Sequence, residues 1–425
     1  LIPPPRRADW RLMPEDEKST EQPAFTQRDL PEWVKSLGLP PVAVEAIDRY
    51  WKPAWDATKD TLPLLPIHAG RGAVDTRPGA GASVEKIRFE AYEERIPGER
   101  WQADFQEMWP AYRDWYLRDG ADARPDLATC RRRLRQHMPE LVDTYERLVD
   151  LAAGDEIAAR CLSLYRPPAF IVGCSQGVWT RGEPMLVRNY DYPADRLEGI
   201  IIETDWAGQQ IIGMSDCLWG LLDGMNEAGL VVSLTFGGRR AVGDGFAIPL
   251  VVRYLLETCQ TVPQARERLR RLPIHAAQNL SILDKSGRHL TAYLATDHAA
   301  RFTSTPATTN HQGTIDWPEY AHAVRTVERE QNLLGLLADE QVTPARFVDA
   351  FLEPPLYNNG YASGMGTLYT AAYSPTKGGV EHHWPGHTMS QSFHRFSQVR
   401  HVQAFSAKPR ALTWLHPRPV TPARG

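Results

Sequence analysis

The chain has 425 residues, of which 42% are hydrophobic and 24% charged, and its formal net charge at pH 7 is −4. These values are typical of a globular protein with a large core, and the length allows two or three domains. The sequence contains no block of five or more like charges, which argues against a nucleic acid or an anionic membrane surface as partner.

The cysteines indicate a reducing compartment. They are five in number, widely spaced and without a C-x-x-C pair, which argues against a disulfide framework or a zinc knuckle. No apolar run is long enough for a membrane-spanning helix, and the opening LIPPPRRADW lacks the apolar core of a signal peptide. We therefore expect a soluble, cytoplasmic protein that does not enter a membrane. The cysteines are Cys130, Cys161, Cys174, Cys217 and Cys259.

The first part of the chain divides into two segments. Residues 1–85 are rich in Pro, Trp and charge, with a glycine-rich loop at His68–Ser83, and we predict an irregular extension there. From Lys86 to Leu151 the pattern predicts helices, because apolar residues recur at spacings of three and four. We therefore predict a mainly helical segment over residues 86–173. The apolar stripe consists of Leu134, Met138, Leu141, Tyr145 and Leu148.

After Pro167 the pattern changes to short β-branched runs separated by turn residues, which predicts a sheet. Asn226 and Gly229 suit a tight connection between two of the strands. Blocks of strands, helices and strands favour an α+β architecture. The predicted strands are Ala169–Gly173, Pro184–Tyr192, Gly199–Trp206, Gln210–Ser215 and Gly229–Phe236; long helices are predicted at Pro249–Leu272 and Ala321–Leu337; hairpins are predicted at Asn279–Thr296, turning at Asp284–Gly287, and at Gly366–Trp384.

Cys174 is the strongest candidate nucleophile. It follows Gly173 at the end of an apolar segment, and a thiol becomes reactive as thiolate when it lies at an element end beside a base or a positive charge. A single unpaired cysteine is more often a small buried hydrophobe, so Cys174 alone decides little. Cys259 falls on the apolar face of a predicted helix and Cys161 near the end of another, and these settings are less suited to chemistry.

Four motifs in order strengthen the case for Cys174. They are Gly173-Cys174, the segment R-N-Y-D at 188–191, G-M-N-E-A-G-L at 224–230 and T-T-N-H-Q at 308–312. In this combination the sequence resembles the acyl-coenzyme A:6-aminopenicillanate acyltransferase family, a branch of the N-terminal-nucleophile (Ntn) hydrolases that is similar to the choloylglycine hydrolases. The resemblance implies a four-layer αββα sandwich, in which two antiparallel sheets are covered by helices on both outer sides.

The resemblance also implies that the chain cuts its own Gly173–Cys174 bond. The products would be a first segment, 1–173, which stays associated, and a catalytic segment, 174–425, which begins with the nucleophile. We expect glycine at 173 because it tolerates a strained backbone next to the thiol. After cleavage the α-amine of Cys174, with an ordinary pKa of roughly 8, accepts the thiol proton.

Family resemblance supplies roles for five more residues. Asp191 would bind the new ammonium group, and Arg188 would stabilise the thiolate. Asn310 matches the side-chain amide that stabilises the oxyanion, and a second donor is expected at Thr235, through its backbone N–H. Arg325 matches an arginine that follows the T-N-H element.

Each of these assignments has an ordinary structural alternative. The R-N-Y-D segment could form a strand-edge salt bridge, and Asn310 could serve a turn. Arg325 lies three residues before Glu328 on a predicted helix, where an exposed ion pair is an equally good account. His382 and His383 are adjacent on a predicted strand, so their side chains point to opposite faces and suit a metal poorly.

The expected activity is that of an amidohydrolase or N-acyltransferase acting on a small-molecule amide or thioester, without a cofactor or metal. Two rivals stay open: an unprocessed thiol hydrolase in which Cys174 pairs with His275 or His311, and a catalytically degenerate binding protein of the same fold. The sequence does not identify the acyl group or the amine. It also leaves the oligomeric state open, and a homo-oligomer is possible.

Overall fold

The computed structural model describes residues 84–361 and 365–406. The extension predicted at 1–85, with its glycine-rich loop at His68–Ser83, lies outside the described residues except for its last two positions. None of the described helices is both long and apolar enough to cross a membrane.

The described residues contain fifteen strands in two sheets. The larger sheet has the order β10-β9-β8-β7-β6-β5-β4-β1-β15, and the smaller has the order β11-β2-β3-β12-β13-β14. The strands are β1 Val84–Glu93, β2 Gly173–Trp179, β3 Met185–Tyr192, β4 Ile200–Thr204, β5 Ile211–Asp216, β6 Gly220–Asn226, β7 Val231–Phe236, β8 Gln278–Leu283, β9 His289–Leu294, β10 Arg301–Thr303, β11 Ala307–Thr308, β12 Gly366–Ser374, β13 Gly379–Trp384, β14 His387–Ser392 and β15 Val399–Ser406.

Nine α-helices lie within the described ranges. Four of them precede β2, and the other five lie between β7 and β12. The helices are α1 Glu99–Leu117, α2 Leu127–His137, α3 Val142–Leu151, α4 Glu156–Leu162, α5 Ile248–Thr258, α6 Val262–Leu269, α7 Pro318–Ala323, α8 Thr326–Ala338 and α9 Pro344–Ala350.

The two sheets pack face to face between helices, which confirms the predicted αββα sandwich. Across the interface, the Gln176 side chain of β2 donates hydrogen bonds to Ser233 Oγ (2.8 Å) and to the Leu234 carbonyl (2.6 Å) of β7. Helix α5 packs on β5, β6 and β7 of the larger sheet, and α8 packs on β2 and β11 of the smaller one. Each sheet thus has one face on its partner sheet and the other on helices, as layered packing requires.

A second hydrophobic core lies under the outer helices of the smaller sheet. There Phe347 of α9 packs on Trp179 of β2, with ring centroids 5.4 Å apart, and on buried Val187 of β3. Burying a large apolar side chain of this kind contributes about 1.5–3 kcal/mol. This core fixes β2 and β3 from outside, so the side chains on their other face are held against the larger sheet.

Strand β1 was not predicted, because the segment from Lys86 onwards was assigned to helix. In its sequence the apolar residues at 87, 89 and 91 alternate with charged residues at 86, 88 and 90, which is the period-two pattern of a strand. β1 pairs antiparallel with β15 and parallel with β4, so the larger sheet is mixed and the expectation of purely antiparallel sheets was wrong. Helices begin only at Glu99.

The two predicted long helices are each broken in two. The first ends at Thr258, because Cys259 has an extended backbone (φ −124°, ψ 146°), so Cys259 caps the helix and does not lie within it. The second is interrupted by Arg325, whose left-handed backbone (φ 52°) separates α7 from α8. The apolar stripe from Leu134 to Leu148 is buried as predicted, but it runs from α2 through a short 3-10 turn, Pro139–Leu141, into α3.

Several local predictions are confirmed. Strands β3, β4, β5 and β7 and both hairpins form where the sequence placed them. The connection between β6 and β7 is tight: Asn226 Oδ1 accepts from the backbone N–H of Leu230 (2.9 Å), and Gly229 has a φ of 85°. The strand predicted at Ala169–Gly173 is wrong, since β2 begins at Gly173 where that prediction ended.

Candidate active site

Cys174 lies at the interface of the two sheets because of the two-residue period of β2. Side chains at 174 and 176 of β2 point toward the larger sheet, whereas those of Ser175 and Trp179 face the helices. In β3, paired antiparallel with β2, Arg188 points inward in the same way. The register therefore brings the thiol of one strand and the guanidinium of the next together.

The Cys174 thiol is fully buried and contacts one positive charge. Arg188 Nη2 lies 3.0 Å from Sγ. Burial raises the pKa of the Cys174 thiol to about 11, and the Arg188 and Arg329 guanidinium groups oppose that rise. In the uncleaved chain the sulfur is therefore largely protonated at neutral pH, and a base is needed to make it a nucleophile.

Arg188 is held by a carboxylate that the sequence analysis did not single out. Its Nη1 contacts Asp223 Oδ2 of β6 at 2.5 Å, and both side chains are fully buried. Asp223 also accepts hydrogen bonds from the hydroxyls of Tyr369 (2.6 Å) and Tyr373. Burial alone would lower the pKa of Arg188, but Tyr369, Cys174 and Asp223 together raise it well above its usual value. The cation beside the sulfur is thus fixed in place and permanently charged.

Gly173 is required here for space. A Cβ on Gly173 would lie 3.0 Å from the Cβ of Asp191 and 3.3 Å from Met365 Sδ. Gly173 does not have the left-handed backbone that would mark strain, since its φ lies outside the positive range. The expectation that glycine serves a strained conformation is therefore wrong. Its absent side chain instead lets Asp191 pack directly against the Gly173–Cys174 peptide.

Asp191 lies on the helix-facing side of β3, next to the backbone of residue 173. Its Oδ1 accepts a hydrogen bond from Thr367 Oγ1 (2.7 Å), and its Oδ2 is 3.5 Å from Arg329 Nη1. Burial raises the pKa of the Asp191 carboxyl, while Arg329 and Thr367 oppose the rise. This position suits a carboxylate that receives a new ammonium group at residue 174.

Asn310 connects the backbone on both sides of the Gly173–Cys174 bond. Its Oδ1 accepts from the Cys174 N–H (3.0 Å), and its Nδ2 donates to the carbonyls of Val172 and Phe236, both at 3.2 Å. The backbone N–H of Asn310 donates to Thr326 Oγ1 (2.7 Å), which orients the loop after β11. The structure therefore brings the predicted amide donor to the predicted nucleophile.

The two remaining predicted site residues are Thr235, expected to donate through its backbone N–H, and Arg325. Thr235 is buried nearby, but its hydroxyl donates to the Thr309 carbonyl (3.2 Å), and it lies in the β7–β8 ladder opposite Asn279. Arg325 has a side chain that is 48% exposed and forms an ion pair with Glu328, which is the structural alternative stated above. Arg325 lies outside the cluster around Cys174.

The arginine that does enter the site is Arg329, which the sequence analysis missed. Its Nη1 donates to the Cys174 carbonyl (2.6 Å) and to Ser175 Oγ (2.8 Å), and its Nη2 donates to Asn310 Oδ1 (2.8 Å). Arg329 is buried, with 2% of its surface exposed. Its signal in the sequence was an arginine one helical turn after Arg325, on the helix that follows the T-N-H element.

In the alternative thiol-hydrolase mechanism, His275 or His311 would pair with Cys174, but both histidines contact other groups. His275 Nδ1 contacts the Gly243 carbonyl (2.5 Å), while His311 contacts Thr326 Oγ1 (3.0 Å) and Glu330 (3.2 Å). Cys174 therefore has Arg188, and neither histidine, as the hydrogen-bond partner of its sulfur. Within residues 84–361 and 365–406, no group of three or more His, Cys, Asp and Glu side chains is placed to hold a metal ion.

The buried histidine His382 makes the stability of the protein depend on pH. It is fully buried, and burial lowers its pKa to about 4. Below pH 6.5 the unfolded chain binds a proton that the native state binds only near pH 4, so stability falls as pH drops through this window. In His382→Leu the free energy of unfolding should fall less between pH 7 and pH 4.5 than it does in the wild type, by up to about 3 kcal/mol. Urea unfolding at pH 7, 5.5 and 4.5 measures this difference.

His394→Leu is the matched control for this prediction, because it also replaces a histidine by leucine but at an exposed position outside the buried interior. An acid sensitivity in His382→Leu equal to that of the wild type would contradict the account of a buried, neutral imidazole.

The described groups could together perform acyl transfer. They supply a thiol, a fixed cation next to its sulfur, a carboxylate next to its backbone nitrogen, and an amide whose N–H groups donate to carbonyl oxygens beside it. Nucleophilic catalysis at a carbonyl needs these elements: a nucleophile, a means of forming its anion, and donors for the oxyanion.

The comparisons with known proteins agree with the motifs. The profile of the acyl-coenzyme A:6-aminopenicillanic acid acyl-transferase family matches residues 179–388. This segment contains Arg188, Asp191, Asn310 and Arg329, and it begins shortly after Cys174. In sequence, none of the curated proteins is a significant match to this chain.

Solved structures also resemble the chain. A conjugated bile acid hydrolase from Clostridium perfringens is 13% identical with a TM-score of 0.35, and the match covers 55% of this chain and 96% of that one. A penicillin V acylase from Agrobacterium tumefaciens is 14% identical with a TM-score of 0.37, covering 52% and 87%. The Caenorhabditis elegans ortholog of N-acylethanolamine-hydrolyzing acid amidase is 17% identical with a TM-score of 0.37, covering 48% and 93%.

The motif order and the profile match therefore lead to one conclusion: residues 179–388 of this chain resemble the acyl-coenzyme A:6-aminopenicillanic acid acyl-transferase family.

Proposed function

We propose that the protein is a self-processing amidohydrolase or N-acyltransferase whose nucleophile is Cys174. The observation that carries this proposal is the arrangement around one peptide bond. The Cys174 sulfur contacts Arg188, the Cys174 N–H contacts Asn310 Oδ1, and Asp191 packs against Gly173. These groups surround both the sulfur and the nitrogen of a single residue, as a combined nucleophile and base requires.

In the self-cleavage step, Sγ of Cys174 adds to the carbonyl carbon of Gly173. The C–N bond then breaks, the nitrogen takes the thiol proton and becomes the α-amine, and a thioester joins Gly173 to the sulfur. Water adds to that thioester, the C–S bond breaks, and the Gly173 carboxylate and the free thiol are released. The new amine replaces an amide nitrogen that could not accept a proton.

In turnover, Sγ adds to the carbonyl carbon of a substrate amide or thioester while the α-amine takes the thiol proton. The C–N or C–S bond of the substrate breaks, and the leaving amine or thiol receives that proton. The acyl group stays on Sγ until water or an acceptor amine attacks it, which regenerates the thiol. Asp191 holds the ammonium form of the α-amine, and Arg188 stabilises the thiolate.

The two segments would remain together after cleavage because β1 belongs to the first segment and its neighbours belong to the second. β1 pairs with β15 over eight residues, Val84↔Ser406 to Ala91↔Val399, and also with β4. Cutting at Gly173 leaves these ladders unbroken.

The domain boundaries 86–173 and 174–425 are part of this proposal, and so is a cytoplasmic location, which the five free, buried cysteines support.

The substrate class within the proposal is a small-molecule amide or acyl thioester. The family's description names an acyl-coenzyme A, which is an acyl thioester, and 6-aminopenicillanic acid, which is an amine acceptor. Transfer between these two partners breaks a thioester and forms an amide, and both bonds present a carbonyl carbon that a thiolate can attack. We therefore propose this carbonyl as the feature that the site recognises, and we leave the acyl group open.

An acyl-enzyme trap tests this proposal. We expect turnover of at least one fluorogenic amide in a series of N-acyl-7-amino-4-methylcoumarins of graded chain length. A thiol-reactive acyl β-lactone should abolish that turnover and add one acyl mass to the peptide that begins with Cys174. Trapping at another cysteine, or full turnover after Cys174 is modified, would overturn the assignment. Absence of both turnover and trapping would favour the degenerate binding protein.

A further inference from the structure

The carbonyl oxygen of Val172 accepts hydrogen bonds from two side chains that converge on it. Asn310 Nδ2 lies 3.2 Å from this oxygen, and the Tyr320 hydroxyl lies 2.9 Å from it. Val172 and Asn310 are fully buried, and Tyr320 is 7% exposed. Two donors directed at one carbonyl oxygen, away from water, form the arrangement that stabilises an oxyanion.

Tyr320 is rigidly placed for this purpose. Its ring packs edge-on against Phe236, with centroids 5.2 Å apart at 88°, and it stacks on Trp317 at 5.1 Å and 28°. The Phe236 carbonyl is itself an acceptor for Asn310 Nδ2, so the same backbone positions both donors. Burial raises the pKa of the Tyr320 hydroxyl well above its usual value, so this group keeps its proton and acts as a donor.

The oxygen held between these donors belongs to the segment that self-cleavage would release from Cys174. Val172 immediately precedes Gly173, and its carbonyl is bound here by side chains because β2 begins only at Gly173. Asn310 also contacts the backbone nitrogen of Cys174, so the pair of donors lies next to the nucleophile. In the uncleaved chain, residue 172 therefore occupies a site that a substrate carbonyl could fill.

We propose that Tyr320 is a catalytic residue which, together with Asn310, binds the carbonyl oxygen of the substrate once the end of the first segment has left this position. This inference rests on the proposed function. As Sγ bonds to the substrate carbon, the carbonyl electron pair moves to the oxygen held by Tyr320 and Asn310. When the C–N bond breaks, that pair returns and restores the C=O bond. Tyr320 donates a hydrogen bond throughout and loses no proton.

This assignment differs from the donor predicted at Thr235. The Thr235 hydroxyl donates to the Thr309 carbonyl, and the residue lies in the ladder between β7 and β8. Tyr320 is supplied instead by α7, in the connection between Asn310 and α8. The loop that carries the amide donor thus leads directly to the second donor.

The test is Tyr320→Phe, which removes the hydroxyl and keeps the ring. We expect kcat on an N-acyl-7-amino-4-methylcoumarin amide to fall about 10²–10³-fold with KM nearly unchanged, because one preorganised oxyanion donor is lost. Self-cleavage should proceed as in the wild type, because the carbonyl attacked in that step belongs to Gly173 and Tyr320 binds the carbonyl of Val172. Tyr254→Phe is the control, since that hydroxyl contacts Glu140 and Arg268, away from Cys174.

Wild-type kcat in Tyr320→Phe, with cleavage intact, would overturn the role of Tyr320 and leave the proposed function standing. Loss of self-cleavage in Tyr320→Phe would overturn it too, because the hydroxyl would then act by positioning Val172. A wild-type protein that neither cleaves nor turns over the amide would instead reject the proposed function itself, and the Tyr320 assignment with it.

Discussion

Cys174→Ala is expected to remain a single chain and to lose turnover of N-acyl amides by more than about 10⁴-fold. Alanine keeps the backbone of β2 and removes the one atom that can attack a carbonyl. The Gly173 carbonyl then has no adjacent nucleophile, so the α-amine never forms and both the nucleophile and its base are lost together. Intact-mass spectrometry and a fluorogenic amide assay measure the two effects on one sample.

Cys161→Ala is the matched control for this variant. Cys161 is a buried cysteine of α4, and burial raises the pKa of its thiol, so the substitution removes a buried sulfur outside the site. It should cleave and turn over like the wild type apart from a modest loss of stability. Two chains from Cys174→Ala would refute self-cleavage by this sulfur, and retained turnover would exclude Cys174 from the chemistry.

Arg188→Met is expected to be the most destabilising single change in the site, by about 3–5 kcal/mol, because it leaves the buried Asp223 carboxylate without its cation. The same change removes the positive charge 3.0 Å from the Cys174 sulfur. Losing this charge raises the pKa of the Cys174 thiol, so less thiolate forms, and we expect at least roughly a tenfold loss of kcat/KM. Urea unfolding and amide turnover provide the two measurements.

The double variant Arg188→Met/Asp223→Asn separates the two roles. Tyr369 and Tyr373 donate to different oxygens of Asp223, so asparagine keeps an acceptor for one hydroxyl, can donate its Nδ2–H to the other, and removes the unpaired charge. Stability should recover to within about 2 kcal/mol of the wild type, while activity should stay low. Recovery of both would mean that Arg188 serves only to balance Asp223, and recovery of neither would contradict the assignment of the ion pair.

The sequence predicted the fold class and much of the candidate site because both depend on local patterns. Alternation of β-branched residues identified the strands around the site, and four motifs in a fixed order pointed to Cys174, Arg188, Asp191 and Asn310. The structure brings these four side chains together in one buried cluster. Their roles in catalysis remain predictions for the experiments proposed above.

The predictions that were wrong depend on tertiary structure. Arg325 and Arg329 are four residues apart in one helical region, and sequence alone does not decide between them. The left-handed turn at Arg325 directs that side chain to solvent and starts α8 so that Arg329 reaches the site. The unpredicted strand β1 was hidden for a related reason, since its partners β4 and β15 lie far along the chain.

The partners of the site residues could not be predicted at all. Asp223 meets Arg188 across 35 residues, and Tyr320 meets Val172 across 148 residues. Asp223 directly precedes the G-M-N-E-A-G-L motif and Tyr320 follows the T-T-N-H-Q motif, but neither motif indicates which distant group these two side chains contact. Only the stacking of the two sheets and the fold of the connection after Asn310 bring them into contact with Arg188 and Val172.

The central claim is that Cys174 becomes a nucleophile with its own base when the chain severs the bond before it. Intact-mass spectrometry of the purified wild-type protein, combined with amino-terminal sequencing, tests this most directly. The account predicts two chains for this sequence, one that ends at Gly173 and one that begins with Cys174. A single uninterrupted chain that hydrolyses the amide probe at full rate would contradict it.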